Sequence, residues 1–234
     1  VLAGRALRGV RHLTLVDGGG ALAPASLSAL LSEATVSWVP GAAWLVQPLA
    51  PVQGRPLIVG DPRRDLPGAR AEARTLAAQL DGELLEGDGA TVEALTARWT
   101  ARPVFHFAGH GKLRAEAPWD AHLALARGQS VDVELLLARR PGPGLVVLSG
   151  CETGRALAAP ADGFGLAEAF LAGGTRHVLA ATVELDDARA QAFIERFYRL
   201  GGVGDAAGAF RRAVLEARAG DDASWQHWRL LGRR

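Results

Sequence analysis

The 234 residues carry 26 Lys+Arg against 25 Asp+Glu, a formal net charge of +1, and this balance excludes the basic footprint expected of a nucleic-acid or anionic-membrane binder. The apolar runs, such as GLVVLSGC, fall far short of the roughly 18 residues a membrane span needs, and no basic, apolar, small-residue signal opens the chain, so the expected location is the cytoplasm. One cysteine, Cys151, excludes an intrachain disulfide and a cysteine-based zinc site.

Short apolar runs ending in Gly, Pro or Asp alternate with stretches of helical spacing, the pattern of strands and crossover helices in an α/β fold with a mostly parallel sheet. In chain order, strands are predicted at 12–17 (HLTLVD), 35–40 (TVSWVP) and 56–61 (PLIVGD). A helix follows from Pro67 to Leu80, where Ala73, Leu76, Ala77 and Leu80 form one apolar stripe. A second helix, TVEALTARW, has Thr91 as cap and Glu93 in its first turn. Strands are then predicted at 103–109 (PVFHFAG) and 122–126 (HLALA), and after the break RRPGPG a strand at 144–150 (GLVVLSG) leads into Cys151. The remaining elements are a helix at 162–174, a strand at 176–182 (RHVLAAT) and two helices at 186–201 and 204–220, both ending on Gly after basic residues. Trp225 and Trp228 are expected to anchor a last short element in the core, and Arg211 and Arg212 to lie on a solvated face. With no repeat and no low-complexity linker, one domain covers residues 1–234, and the start at Val1 in a chain without methionine suggests a piece of a longer polypeptide.

In an open parallel sheet, functional groups collect beyond the carboxyl ends of the strands. Two strands here end alike: VFHFAGHG delivers His110, and LVVLSGCETG delivers Cys151, in the same register past its apolar run. If the strands are neighbours, a thiol and a base meet at one edge. A free thiol is mostly protonated at neutral pH, and a nearby imidazole both activates it and later protonates a leaving amine. The amides of Gly111 and Cys151 are candidate oxyanion donors, and Gly109, Gly111 and Gly150 are read as clearing space for a substrate backbone and permitting positive φ. His106, inside its strand, is read as a buried polar residue rather than a second base. Taken singly, a cysteine ending a buried strand is more often a small core hydrophobe and a histidine after a strand a plain loop residue; the pairing is what points to a dyad. The glycines of DGGG (17–20) match no phosphate-binding loop.

FHFAGHG, LVVLSGCETG and DGFGLAEAFLAGGTRHVLA in this order, followed by a helix opening on Asp186 and Asp187 and by FYRL, resemble the CHAT domain, a branch of the caspase-like cysteine peptidases (clan CD) related to separase. The resemblance implies a three-layer α/β/α sandwich in which His110 is general base and acid, Cys151 the nucleophile, and the amides of Gly111 and Cys151 the oxyanion hole. It implies an endopeptidase acting on a specific protein substrate, needing no metal or organic cofactor, and regulated by N-terminal repeat domains and a signalling partner. The 41 residues from His110 to Cys151 leave room for one strand and one crossover helix. Many members carry a tryptophan where AATVELDD (180–187) has Val183, in a segment that forms the specificity pocket of relatives. Asp162, Glu184, Asp186 and Asp187 are candidates to receive Arg or Lys before the scissile bond, although Asp186 and Asp187 also read as caps of the following helix. The alternative is a catalytically silent CHAT module that serves as an interaction scaffold.

Overall fold

Five parallel strands carry the half of the molecule where the histidine and cysteine strands end. A computed structural model describes residues 8–16, 30–46, 49, 51–99, 101–114, 117–149, 165–181 and 185–232. Among them, β1 (His12–Val16), β2 (Thr35–Val39), β3 (Leu57–Gly60), β4 (Glu83–Glu86), β5 (Val104–Ala108), β9 (Leu145–Leu148), β10 (His177–Ala181) and β11 (Trp228–Gly232) form one sheet in the order β1-β2-β11-β10-β9-β5-β3-β4. The pairs β4/β3, β3/β5, β5/β9 and β9/β10 are parallel. β11 is antiparallel to β10 and parallel to β2, which is parallel to β1. Strands buried on both faces need nearly continuous apolar sequence, and LIVG and LVVL meet that condition throughout.

The crossover helices cover both faces. α1 (Pro67–Gln79), α5 (Asp187–Arg199) and α6 (Ala206–Ala219) pack on one side, and α3 (Val133–Ala138) and α4 (Leu166–Ala172) on the other, with the short α2 (Val92–Thr96) between β4 and β5. Alternation along β5 sets the two contents. Phe105 meets Trp99 and Phe170 at ring separations of 5.1 and 5.9 Å, whereas His106 meets Tyr198 of α5. On the α5/α6 side, Phe193 stacks on Trp228 at 5.1 Å, and burying each such ring contributes about 1.5–3 kcal/mol. Gly60 lets α1 close on the sheet, because a Cβ there would lie 2.2 Å from that of Ala73. The result is the α/β/α sandwich with a mostly parallel sheet, and no helix among the described residues is long and apolar enough to cross a membrane.

The stretch between His110 and Cys151 is richer than one strand and one helix. It holds β6 (Gly111–Arg114), β7 (Ala117–Ala124) and β8 (Ser130–Asp132), an antiparallel sheet of their own, before α3 and β9. α3 starts where Asp132 caps it, accepting from Leu135 N at 2.8 Å. Arg211 also departs from the expected solvated role: it donates to the carbonyls of Leu31 at 2.7 Å and Ser32 at 3.0 Å. Trp225 and Trp228 are buried as the sequence suggests, in a 3-10 turn and β11 respectively.

Candidate active site

β5 and β9 are direct parallel neighbours, with Phe107 paired to Leu148 and the amide of Ser149 donating to Phe107 O at 2.9 Å. His110 and Cys151 each stand three residues beyond that last matched pair. Adjacent strands lie roughly 4.8 Å apart, so the chain leaves the same sheet edge at neighbouring points, after Ala108 and at Ser149.

His110 is held from the β3 side. Its Nε2 lies 2.9 Å from Asp65 Oδ1, with the ring 35% and the carboxylate 54% exposed. A carboxylate only accepts, so Nε2 carries the proton of this bond and Nδ1 is left as the ring's acid–base atom. The His110 carbonyl accepts from Ala124 N at 2.8 Å, which fixes the backbone on the side of β7.

Asp65 is placed in turn by Asp61. The Asp61 side chain is fully buried; Oδ1 accepts from the amides of Asp65 and Leu66 at 2.9 and 3.0 Å, and Oδ2 accepts from Arg70 Nε and Nη2 at 2.9 and 2.5 Å. Its own amide donates to Ala108 O at 2.8 Å, tying the turn to β5. Burial pushes the Asp61 carboxyl up, but the bonds from Leu66, Arg70 and Asp65 together outweigh it and the net shift is downward. The residue has φ +44, a left-handed conformation that Asp adopts more readily than most side chains.

Of the roles their spacing suggests, positive φ is absent at the two described glycines, Gly109 and Gly111. A Cβ on Gly109 would lie 2.9 Å from Pro62 Cδ and 3.0 Å from Phe107 Cζ, so its absence admits the 61–66 turn that carries Asp65. Gly111 opens β6 opposite Leu123 and is buried.

Gly150, Cys151, Asp162 and Glu184 lie outside the described residues, as does the side chain of Asp187. Asp186 caps α5, its carboxylate accepting from Arg189 N at 3.3 Å. His106 is fully buried, as expected, and it sits in a polar chain: Nδ1 lies 3.2 Å from Tyr198 Oη and Nε2 lies 2.8 Å from Glu72 Oε1. The second contact is electrostatic in character, because the ring N–H is not aimed along it.

Sequence reasoning missed Asp65, Asp61 and Glu72. The signal for the first two is D-P-R-R-D directly after the β3 run, since carboxylates at the carboxyl end of a parallel strand stand where such sites form. The sequence matches the CHAT domain over residues 1–231. The chain belongs to the CHAT domain family. No curated protein matches it, but solved structures share its fold. Saccharomyces cerevisiae separase, solved in complex with securin, superposes with a TM-score of 0.63 at 14% identity over 94% of this chain and 15% of that one. Porphyromonas gingivalis RgpB, solved as pro- and mature domains, gives 0.58 at 12% identity over 86% and 55%. The Arg-specific cysteine proteinase gingipain R gives 0.56 at 12% identity over 86% and 54%. The CHAT domain therefore corresponds to about 15% of the separase chain, and the fold it shares with both proteins is caspase-like.

Proposed function

We propose that this CHAT domain is a cysteine endopeptidase using Cys151 as nucleophile and His110 as base and acid. The observation that carries the reading is the parallel register of β5 with β9, together with a histidine already oriented by a carboxylate through Nε2. Nδ1 of His110 takes the proton from Cys151 Sγ, and the thiolate attacks the scissile carbonyl carbon. The tetrahedral oxyanion accepts hydrogen bonds from the amides of Gly111 and Cys151. Collapse breaks the C–N bond as His110 returns its proton to the leaving amine. A water, deprotonated by the same nitrogen, then hydrolyses the thioester. Asp65 keeps the ring in the Nε2–H tautomer and stabilises the imidazolium that each step forms, as a triad carboxylate does.

For the residue before the scissile bond we propose Arg or Lys. Gingipain R, whose fold the chain shares, is Arg specific, and Asp162, Glu184 and Asp187 supply carboxylates for a cationic side chain. Asp186 is the weaker member of that set because its carboxylate already serves α5. The proposed setting is a cytoplasmic protein with a protein substrate, in which N-terminal regions regulate the site.

The test is cleavage of peptide libraries varying in Arg, Lys and Asp before the scissile bond, with labelling by a thiol-directed peptide electrophile. Cys151→Ala is expected to abolish both while folding is retained, and His110→Ala to reduce both. Cleavage that persists in Cys151→Ala defeats the proposal. A Cys151 inert to iodoacetamide in every partner-bound state establishes the scaffold reading instead.

A further inference from the structure

One buried carboxylate touches both strands that deliver the dyad residues. Glu72, on α1, places Oε1 2.8 Å from Nε2 of His106 on β5 and accepts at Oε2 from Ser149 Oγ at 3.1 Å. His106 lies four residues before His110, and Ser149 two before Cys151. The Glu72 side chain is 5% exposed and that of His106 fully buried.

Tyr198 of α5 completes the cluster. Burial, and then the Glu72 charge, push the Tyr198 hydroxyl well above its usual value. Its Oη lies 3.2 Å from Nδ1 of His106, while the other ring nitrogen faces Glu72. Ser149, at the carboxyl end of β9, donates a hydrogen bond from its hydroxyl to the other carboxylate oxygen. Polar groups buried between a helix and a sheet cost desolvation that apolar residues of the same volume avoid, and such replacements are often neutral or stabilising. What this arrangement supplies and an apolar one cannot is one carboxylate shared by two strands, through a hydrogen bond from Ser149 at the end of β9 and an electrostatic contact with His106 in the middle of β5.

We propose that Glu72 is a positioning residue: it ties the carboxyl end of β9, at Ser149, to His106 in the middle of β5 and so sets where Cys151 stands relative to His110. This inference rests on the Cys151/His110 reading. In that reading, a small displacement between the reacting groups costs far more rate than stability.

The experiment measures the second-order rate of Cys151 alkylation by iodoacetamide at pH 7 in the folded chain, alongside the melting temperature. Ser149→Ala and Glu72→Gln are expected to slow alkylation on the order of tenfold, and Ser149→Thr, which keeps the hydroxyl, to restore it. Alkylation of Ser149→Ala at the wild-type rate, or a loss that Ser149→Thr fails to restore, overturns the proposal. If Glu72→Gln does not fold, the Ser149 pair decides alone, since that side chain sits at a half-buried strand end. His110→Ala in the same assay reports on the dyad separately: an unchanged rate there removes the dyad reading, whereas the comparison of Ser149→Ala with wild type judges Glu72.

Discussion

Asp65 reaches across 45 residues of sequence to hold Nε2 of His110 at 2.9 Å. The contact exists because β3 and β5 are neighbours in the sheet and because the turn after β3 is pinned to Ala108 at the end of β5. It extends a proposed dyad by a third side chain.

Asp65→Ala is expected to lower kcat roughly tenfold to a hundredfold with KM little changed, less than the loss when a buried triad carboxylate is removed, because the Asp65 side chain is 54% exposed and water screens and partly replaces it. Asp65→Asn should fall between the two. Steady-state kinetics on a peptide substrate decide it, and a wild-type kcat in Asp65→Ala contradicts the role.

Asp61 acts one step further back, and its loss should appear in stability before activity. Asp61→Ala leaves the amides of Asp65 and Leu66 unpaired and is expected to cost about 2–4 kcal/mol in urea unfolding, tempered because Arg70 is one-third exposed and can turn to water. Asp61→Asn keeps one acceptor and tolerates the left-handed backbone, so it should cost less than Asp61→Ala. The folded carboxyl is shifted downward, so its contribution is complete above the unfolded value of 3.8 and is lost as pH falls below it. Asp61→Asn should therefore flatten stability below about pH 4.

Gly109→Ala separates space from backbone strain. The φ of Gly109 is not positive, so alanine meets no backbone penalty there, but its Cβ would crowd Pro62 and Phe107. Overpacking of this kind costs about 1–3 kcal/mol. Because Pro62 belongs to the turn that bears Asp65, the variant should also lose activity, and a fully active, fully stable Gly109→Ala rejects the packing argument.

The sequence exposed the two strands of the proposed dyad because each is an apolar run closed by glycines, and the helices because α1 and α2 carry Pro67 and Thr91 at their starts. It hid the strands one place further out, β4 beside β3 and β11 beside β10. β4 reads ELLE, with a carboxylate at each end, and lies at the sheet edge. β11 follows a 3-10 turn whose tryptophan spacing gives no strand signal. β6 to β8 lie where a single strand and helix were expected, because their short segments lack long apolar runs. Asp65, Glu72 and Ser149 were illegible for a deeper reason: each depends on which strands are adjacent, and strand order is decided by how all the layers pack.

His177 supplies a last prediction, away from the site. It opens β10 and is buried; burial foremost, then the positive charges of Arg176 and His12, lower it to about 4, with Asp205 opposing weakly. In the unfolded chain the imidazole titrates near 6.5. Above that value both states hold it neutral and the pH has no effect through this group. Between about pH 6.5 and 4 the unfolded chain takes up a proton that the folded chain refuses, so stability falls as pH falls, by about 1.4 kcal/mol per unit and about 3 kcal/mol in total. Below about 4 both states are protonated and the slope through His177 ends, leaving the Asp61 window to take over. His177→Leu removes the titration while keeping an apolar group of similar reach in the core, so urea unfolding from pH 7 to 4 should show a shallower slope than wild type. Parallel curves for the two proteins would mean that the folded His177 is free to charge.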